Sequence, residues 1–106
     1  MADFIEKPGS GTGTGVKDRV EVKKPRKYKV LLHNDDYTTM DFVVMILRDV
    51  FSKKNAEAQQ IMLNVHQQGM GVAGIYIHSI AEMKITAVHD LAKDFGFPLR
   101  CSMEPE

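Results

Sequence analysis

Tyr28, Val30 and Leu32 alternate with Lys27, Lys29 and Leu31, the two-residue period of a strand with one buried face. Asn34-Asp35-Asp36 interrupts the alternation, since all three residues favour turns. Thr38, with Asp41 three residues on, has the form of a capping box and predicts the start of a first helix that runs to about Ser52. The apolar set of that helix comprises Met40, Phe42 to Leu47, Val50 and Phe51. It is wider than a single stripe, so either both sides of the helix are buried or part of it faces a hollow.

Asn55 is placed to cap a second helix, whose apolar stripe is Ala58, Ile61, Met62 and Val65 at i, i+3, i+4 and i+7. Gly69 and Gly71 are its stop signals. Val72 to Ile77 is short and β-rich, a second strand. Ser79 and Glu82 form a further capping box, opening a third helix that carries Ile80, Met83, Val88, Leu91, Ala92 and Phe95 and ends before Gly96 and Pro98. Leu99, Cys101 and Met103 then alternate with Arg100, Ser102 and Glu104 as a third strand. The predicted order is β-α-α-β-α-β, an α+β fold with helices on one face of a small sheet. Periodicity alone leaves the strand directions open.

Length and charge refine this picture. A chain of 106 residues with formal net charge zero is one domain's worth of sequence, and its bulk charge argues against strong nucleic-acid binding. The charge is unevenly placed. Lys17, Arg19, Lys23, Lys24, Arg26, Lys27 and Lys29 are half of the fourteen Lys and Arg residues, while from Val30 onward ten acidic residues face six basic ones. Before this basic leader, glycines at positions 9, 11, 13 and 15 alternate with Ser and Thr, the composition of a flexible segment. The expected division is a flexible Gly/Lys-rich extension over residues 1–25 and a folded domain over 26–106. A phosphate-binding loop lacks the strand and helix that would frame it. Cys101 is the only cysteine, so no internal disulfide or cysteine-based zinc site can form. No apolar run approaches the ~18–20 residues of a membrane span. The first fifteen residues hold no apolar segment of signal-peptide type, and the expected location is the cytoplasm.

Candidate chemistry gathers at one place. Asn34, Asp35 and Asp36 lie where a strand gives way to a helix, and His66 lies one helical turn after Met62, at the rim of an apolar stripe. The carboxylates suit acid–base work, a hard metal, or an Asx turn; His66 suits a structural role or a ligand role. Oxygens of Asn and Asp beside a neutral imidazole can also hold an ammonium group, which needs about three acceptors. With an apolar hollow between the first two helices, the matching ligand is the N-terminal residue of a peptide, and capture of a chain terminus is a general recognition mode. Two rivals stay open: a small metal-dependent hydrolase using Asp35, Asp36 and His66, and a ribosome-associated domain with the same element order.

The stretch Tyr28-Lys29-Val30-Leu31-Leu32-His33-Asn34-Asp35-Asp36-Tyr37-Thr38-Thr39-Met40-Asp41-Phe42-Val43 closely resembles the opening motif of the ClpS family, the bacterial N-end-rule adaptors. Ile61-Met62-Leu63-Asn64-Val65-His66-Gln67-Gln68-Gly69 is similar to the family's second motif, and Gly74-Ile75-Tyr76, Ala81-Glu82-Met83-Lys84 and Pro98-Leu99-Arg100-Cys101 extend the likeness. The family often has Pro where Thr39 stands, and either residue suits a helix start.

The resemblance implies a three-stranded antiparallel sheet packed against three helices, and an adaptor that is not an enzyme. It implies no cofactor, metal, nucleic acid or membrane. Its partners would be a ClpA-type unfoldase with ClpP and substrates bearing N-terminal Leu, Phe, Tyr or Trp. By the resemblance, Asn34, Asp36 and His66, with Asp35 beside them, match α-amino-binding positions. Thr38, Met40, Val43, Met62, Val65 and Leu99 match the wall of the side-chain pocket. Tyr76, Glu82 and Lys84 lie in the unfoldase-facing region, and the N-terminal extension would engage the unfoldase during delivery.

Overall fold

The computed structural model describes residues 24–106, and the expectations for the Gly-rich run and most of the basic leader lie outside the described residues. Strand β1 (Lys27–His33) is followed by helices α1 (Met40–Asp49) and α2 (Asn55–Gln68). Strand β2 (Met70–Ile77), helix α3 (His78–Phe95) and strand β3 (Arg100–Pro105) complete the chain. The element order is the expected β-α-α-β-α-β. The sheet order is β2-β1-β3, with both pairings antiparallel, so the strand that comes first in sequence lies at the centre.

The alternation in β1 holds only in part. Val30 and Leu32 are fully buried, and the helices cover that face of the sheet, but Leu31 on the other face is buried as well. On the opposite face Val72, Ile75 and Ile77 of β2 stay exposed. The register of β1 with β2 slips between Val30 and Leu31: Val30 faces Gly74 and Leu31 faces Val72, leaving Ala73 as the extra residue of a bulge. The bulge shifts the parity of β2, so that Gly71 pairs with Leu32 before it and Gly74 and Tyr76 pair with Val30 and Tyr28 after it.

Helix α1 explains its own breadth. Phe42 packs on Phe95 and Phe97, with ring centroids 5.2 and 4.8 Å away, while Val43 faces a hollow shared with α2. The two alternatives raised by the wide apolar set are therefore both realised. In α2 the predicted stripe of Ala58, Ile61, Met62 and Val65 is the buried one. In α3 the buried positions are Ala81, Val88 and Ala92, whereas Met83 and Phe95 stay exposed. Small side chains at Ala81 and Ala92 let this helix lie close to the sheet.

Three helix starts differ from the sequence expectation. Thr39, not Thr38, caps α1: its Oγ1 accepts from the Phe42 amide at 3.1 Å. Thr38 is diverted because its hydroxyl donates to Asp35 at 2.7 Å. Asn55 is the first residue of α2, and the preceding Lys54 offers no acceptor for a side-chain cap. The Ser79–Glu82 box does not form. Strand β2 runs straight into α3, so the helix begins where the pairing of Ile77 with Lys27 ends, one residue before Ser79. The helix ends match the reading better. Gly69 and Gly96 adopt φ of 90° and 78°, a left-handed turn that costs glycine least. Gly71 lies within β2 and does not belong to the helix stop.

Candidate functional site

The loop between β1 and α1 meets the C-terminal end of α2. The contact is fixed by the backbone: the Asn34 amide donates to the Gly69 carbonyl at 2.9 Å, and the Gly69 amide donates to Val65 at 3.0 Å. The left-handed turn at Gly69 thus brings its own carbonyl to the end of β1, and Asn34 comes to the same place as His66.

Asp35 organises the loop. One carboxylate oxygen accepts from the amides of Tyr37 and Thr38 at 2.8 and 2.7 Å, and the other accepts from the Thr38 hydroxyl. Partial burial pushes the Asp35 carboxyl up. The three hydrogen bonds outweigh it and hold the group below its ordinary value. This is an Asx turn in which both oxygens are used by the chain itself. Asn34, Asp36 and His66 are different: they are exposed, and among the described residues their side chains have no intramolecular hydrogen bond.

These residues rim a hollow of about 430 Å³ lined by Asn34 to Met40, Val43, Met62, Val65 and His66. Its volume is within the ~300–1,000 Å³ of small-ligand pockets. The interior is apolar, with Val43, Met62 and Val65 buried on α1 and α2. The mouth is polar and carries two larger side chains, Tyr37 and Met40, the latter as the first residue of α1. An arrangement with charge acceptors at the rim and hydrocarbon inside suits a ligand with a cation at one end and an apolar group at the other.

Of the ten sequence-selected residues of the rim and wall, nine line this one hollow. Leu99 does not: it is buried in the main core with Cys101. Tyr37 and Thr39 line the hollow but were not singled out by sequence. Both fall inside the motif that carries the loop, and that adjacency is the one signal that points to them. Among the described residues no three His, Cys, Asp or Glu side chains group as metal ligands, so Asp35, Asp36 and His66 do not converge as the hydrolase reading requires. The Cys101 thiol is pushed up to about 12 by burial.

Tyr76, Glu82 and Lys84 lie apart from the hollow. Lys84 Nζ donates to the Val50 carbonyl at the C-terminal end of α1 at 2.8 Å and sits 5.6 Å from the Tyr76 ring centroid. The Tyr76 ring in turn lies 6.3 Å from Phe51, and burial pushes its phenol up. Glu82 is exposed, with His78 3.7 Å away. None of the helices of the described residues is long and apolar enough to cross a membrane.

Comparison with known proteins now adds to the geometry. Residues 23–102 match the family model described as ATP-dependent Clp protease adaptor protein ClpS. A ClpS adapter protein of Desulfatibacillum aliphaticivorans is 60% identical over 86 residues, covering 81% of this chain and 83% of the relative. That of Parvibaculum lavamentivorans is 50% identical over 101 residues, covering 95% and 92%. Among solved structures, Agrobacterium tumefaciens ClpS2 bound to L-phenylalaninamide superposes with a TM-score of 0.75 at 40% identity, covering 78% of this chain and all of that one. The family match, these identities and the shared overall fold agree, and the chain belongs to the ClpS family of ATP-dependent Clp protease adaptor proteins.

Proposed function

We propose that this adaptor selects its substrates by their N-terminal residue, holding a free α-amino group at the rim and a large apolar side chain in the hollow. Substrates would carry Leu, Phe, Tyr or Trp first and would be passed to a ClpA-type unfoldase with ClpP. The observation that carries the reading is the hollow itself: acceptors on Asn34, Asp36 and His66, unused among the described residues, stand over an interior of Val43, Met62 and Val65. L-Phenylalaninamide, the ligand of the structural relative, is a free α-amine with an aromatic side chain, the chemistry these two zones would hold.

In this reading Asn34, Asp36 and neutral His66 accept the three hydrogens of the ammonium. Asp35 holds the loop that carries two of them, with both oxygens already engaged. Thr38 anchors the loop to Asp35, and Met40 stands at the mouth as a gate. Leu99 supports the wall from the core behind it. Tyr76, Glu82 and Lys84 would face the unfoldase. Among them Glu82 is the freely exposed group, and Lys84 also ties α3 to α1. Binding, not bond cleavage, is the task of this site.

The test is binding of a peptide whose first residue alone is varied. An α-amino group titrates near ~7.7–8.0, so it is charged at neutral pH. Each charge-assisted bond contributes ~1.5–3 kcal/mol. Acetylation removes the charge and two donors, and leaves the protein's acceptors without a partner. An acetylated Leu-first peptide should bind at least ~100-fold more weakly than the free amine. Equal affinity for the two would show that the site reads an internal apolar segment, and the N-terminal reading would fall.

A further inference from the structure

One glycine outside the hollow stands against its wall. Gly71, in β2, pairs with Leu32 and is buried. Its φ is not positive, so its backbone conformation does not call for glycine. The demand is spatial. A Cβ at this position would stand 2.9 Å from Val65 Cγ2, 3.3 Å from the Ile61 carbonyl oxygen and 3.5 Å from the Val65 amide nitrogen. The first of these is closer than real Cβ contacts come, so something must move.

The atom in the way is a methyl of Val65, and Val65 lines the hollow. A β-branched side chain in a helix is held almost entirely in one χ1 rotamer, so Val65 cannot swing aside without strain. The Ile61 carbonyl is helix backbone and yields only if α2 itself lifts. Either response carries the wall away from β2 and toward the cavity. The interior is close-packed, and displacements of tenths of an ångström are felt.

Resting on the proposed N-terminal reading, we propose that Gly71 is a positioning residue that sets the width of the side-chain pocket through Val65. The absence of a side chain at 71 lets β2 and α2 approach until Val65 is drawn back from the cavity. The room so gained is what admits an aromatic first residue. A Leu side chain is shorter and more compressible in its packing than a rigid Phe or Trp ring, so the two classes respond differently to the same encroachment. Gly71 is thus a determinant of specificity that never touches the ligand.

The test measures peptide affinities with Leu, Phe and Trp in first position, each free and acetylated, on the full-length chain. Gly71→Ala should weaken Phe- and Trp-first peptides by roughly tenfold more than Leu-first peptides, the scale of a methylene-sized change in an apolar pocket. Val88→Ala, in a fully buried position on α3 away from the hollow, supplies the comparison: it should lower the melting temperature and leave the Phe-to-Leu affinity ratio where it was. Adding Val65→Ala to Gly71→Ala removes the methyl that the new Cβ meets, and should return the ratio to at least the wild-type value. Should Gly71→Ala not fold, the double variant carries the test, since the proposal requires it to fold and to bind aromatic-first peptides.

A uniform loss across all three peptides, an unchanged ratio, or a double variant that does not fold would overturn the role of Gly71. Failure of the underlying reading looks different. In that case the wild-type chain itself would not distinguish free from acetylated peptides.

Discussion

The two ends of α1 use polar side chains in opposite ways. At the N-terminal end, Asn34, Asp36 and His66 stand over the hollow with side chains that make no hydrogen bond among the described residues. At the C-terminal end, Lys84 gives a hydrogen to the Val50 carbonyl and lies near the Tyr76 ring, which itself neighbours Phe51. One end keeps acceptors available; the other consumes a donor to finish a helix whose last carbonyls need partners. Asp35 belongs in kind with Lys84, although in position it belongs with the rim. Its carboxylate is internal structure placed among the unengaged polar atoms of the rim. Similar chemistry in a motif therefore divides into atoms the chain uses and atoms it leaves open, and only their partners tell them apart.

That contrast is sharpest in a paired substitution. His66→Ala should lower affinity for a free-amine, Leu-first peptide by the ~1.5–3 kcal/mol of one charge-assisted bond while leaving the acetylated peptide and the melting temperature nearly unchanged. Lys84→Ala should do the reverse, costing about 1 kcal/mol of stability with little change in peptide affinity. Titration calorimetry and thermal unfolding on both variants decide it. A large affinity loss in Lys84→Ala would erase the distinction between the two ends.

The gate gives an effect of similar size or smaller. Met40 is partly exposed at the mouth, next to the polar rim. A β-branched first residue carries its bulk beside the ammonium, where this side chain stands. Met40→Ala should admit Ile- and Val-first peptides, erasing ~1–3 kcal/mol of discrimination. Unchanged rejection would remove Met40 from the gate.

The smallest effect concerns Asp35. Its carboxyl lies below the ordinary value in the folded chain, so the stability it adds is complete above the unfolded value of ~3.9. That stability is lost as pH falls through the folded value, which is lower still. The difference in stability between wild type and Asp35→Asn should thus be flat near neutral pH and shrink below about pH 4. Thr38→Val removes the hydroxyl donor and should move the Asp35 carboxyl upward in an NMR titration. No movement would mean that the two amides alone hold the loop.

What the linear pattern could supply was everything governed by local chemistry. The β-rich run around Tyr28, Val30 and Leu32 and the stripe Ala58-Ile61-Met62-Val65 are local signals: the first is a strand, with Leu31 buried beside its alternating neighbours, and the second is the buried face of α2. Motif resemblance then added the antiparallel sheet, and the residue and motif readings together named nine of the eleven residues that line the hollow.

The misses come from competition for partners, some near in sequence and some far. Thr38 has the form of a cap, but Asp35, three residues back, takes its hydroxyl and leaves Thr39 to cap α1. Ser79 looked like a cap until β2 pairing ran to Ile77 and started α3 early. Leu99 is buried in the same core cluster as Val43, Met62 and Val65 but does not itself line the hollow. Met83 kept the spacing of a core residue yet stayed in solvent, because Ala81, Val88 and Ala92 were the positions that met the sheet. The sequence alone thus determined the elements, their order and the motif that gathers acceptors beside an apolar helix pair. Tertiary structure decided which acceptors remain unused and how near β2 comes to α2. Hydrogen-bond partners and contact distances depend on where the rest of the chain lies, and neighbours in sequence do not fix that.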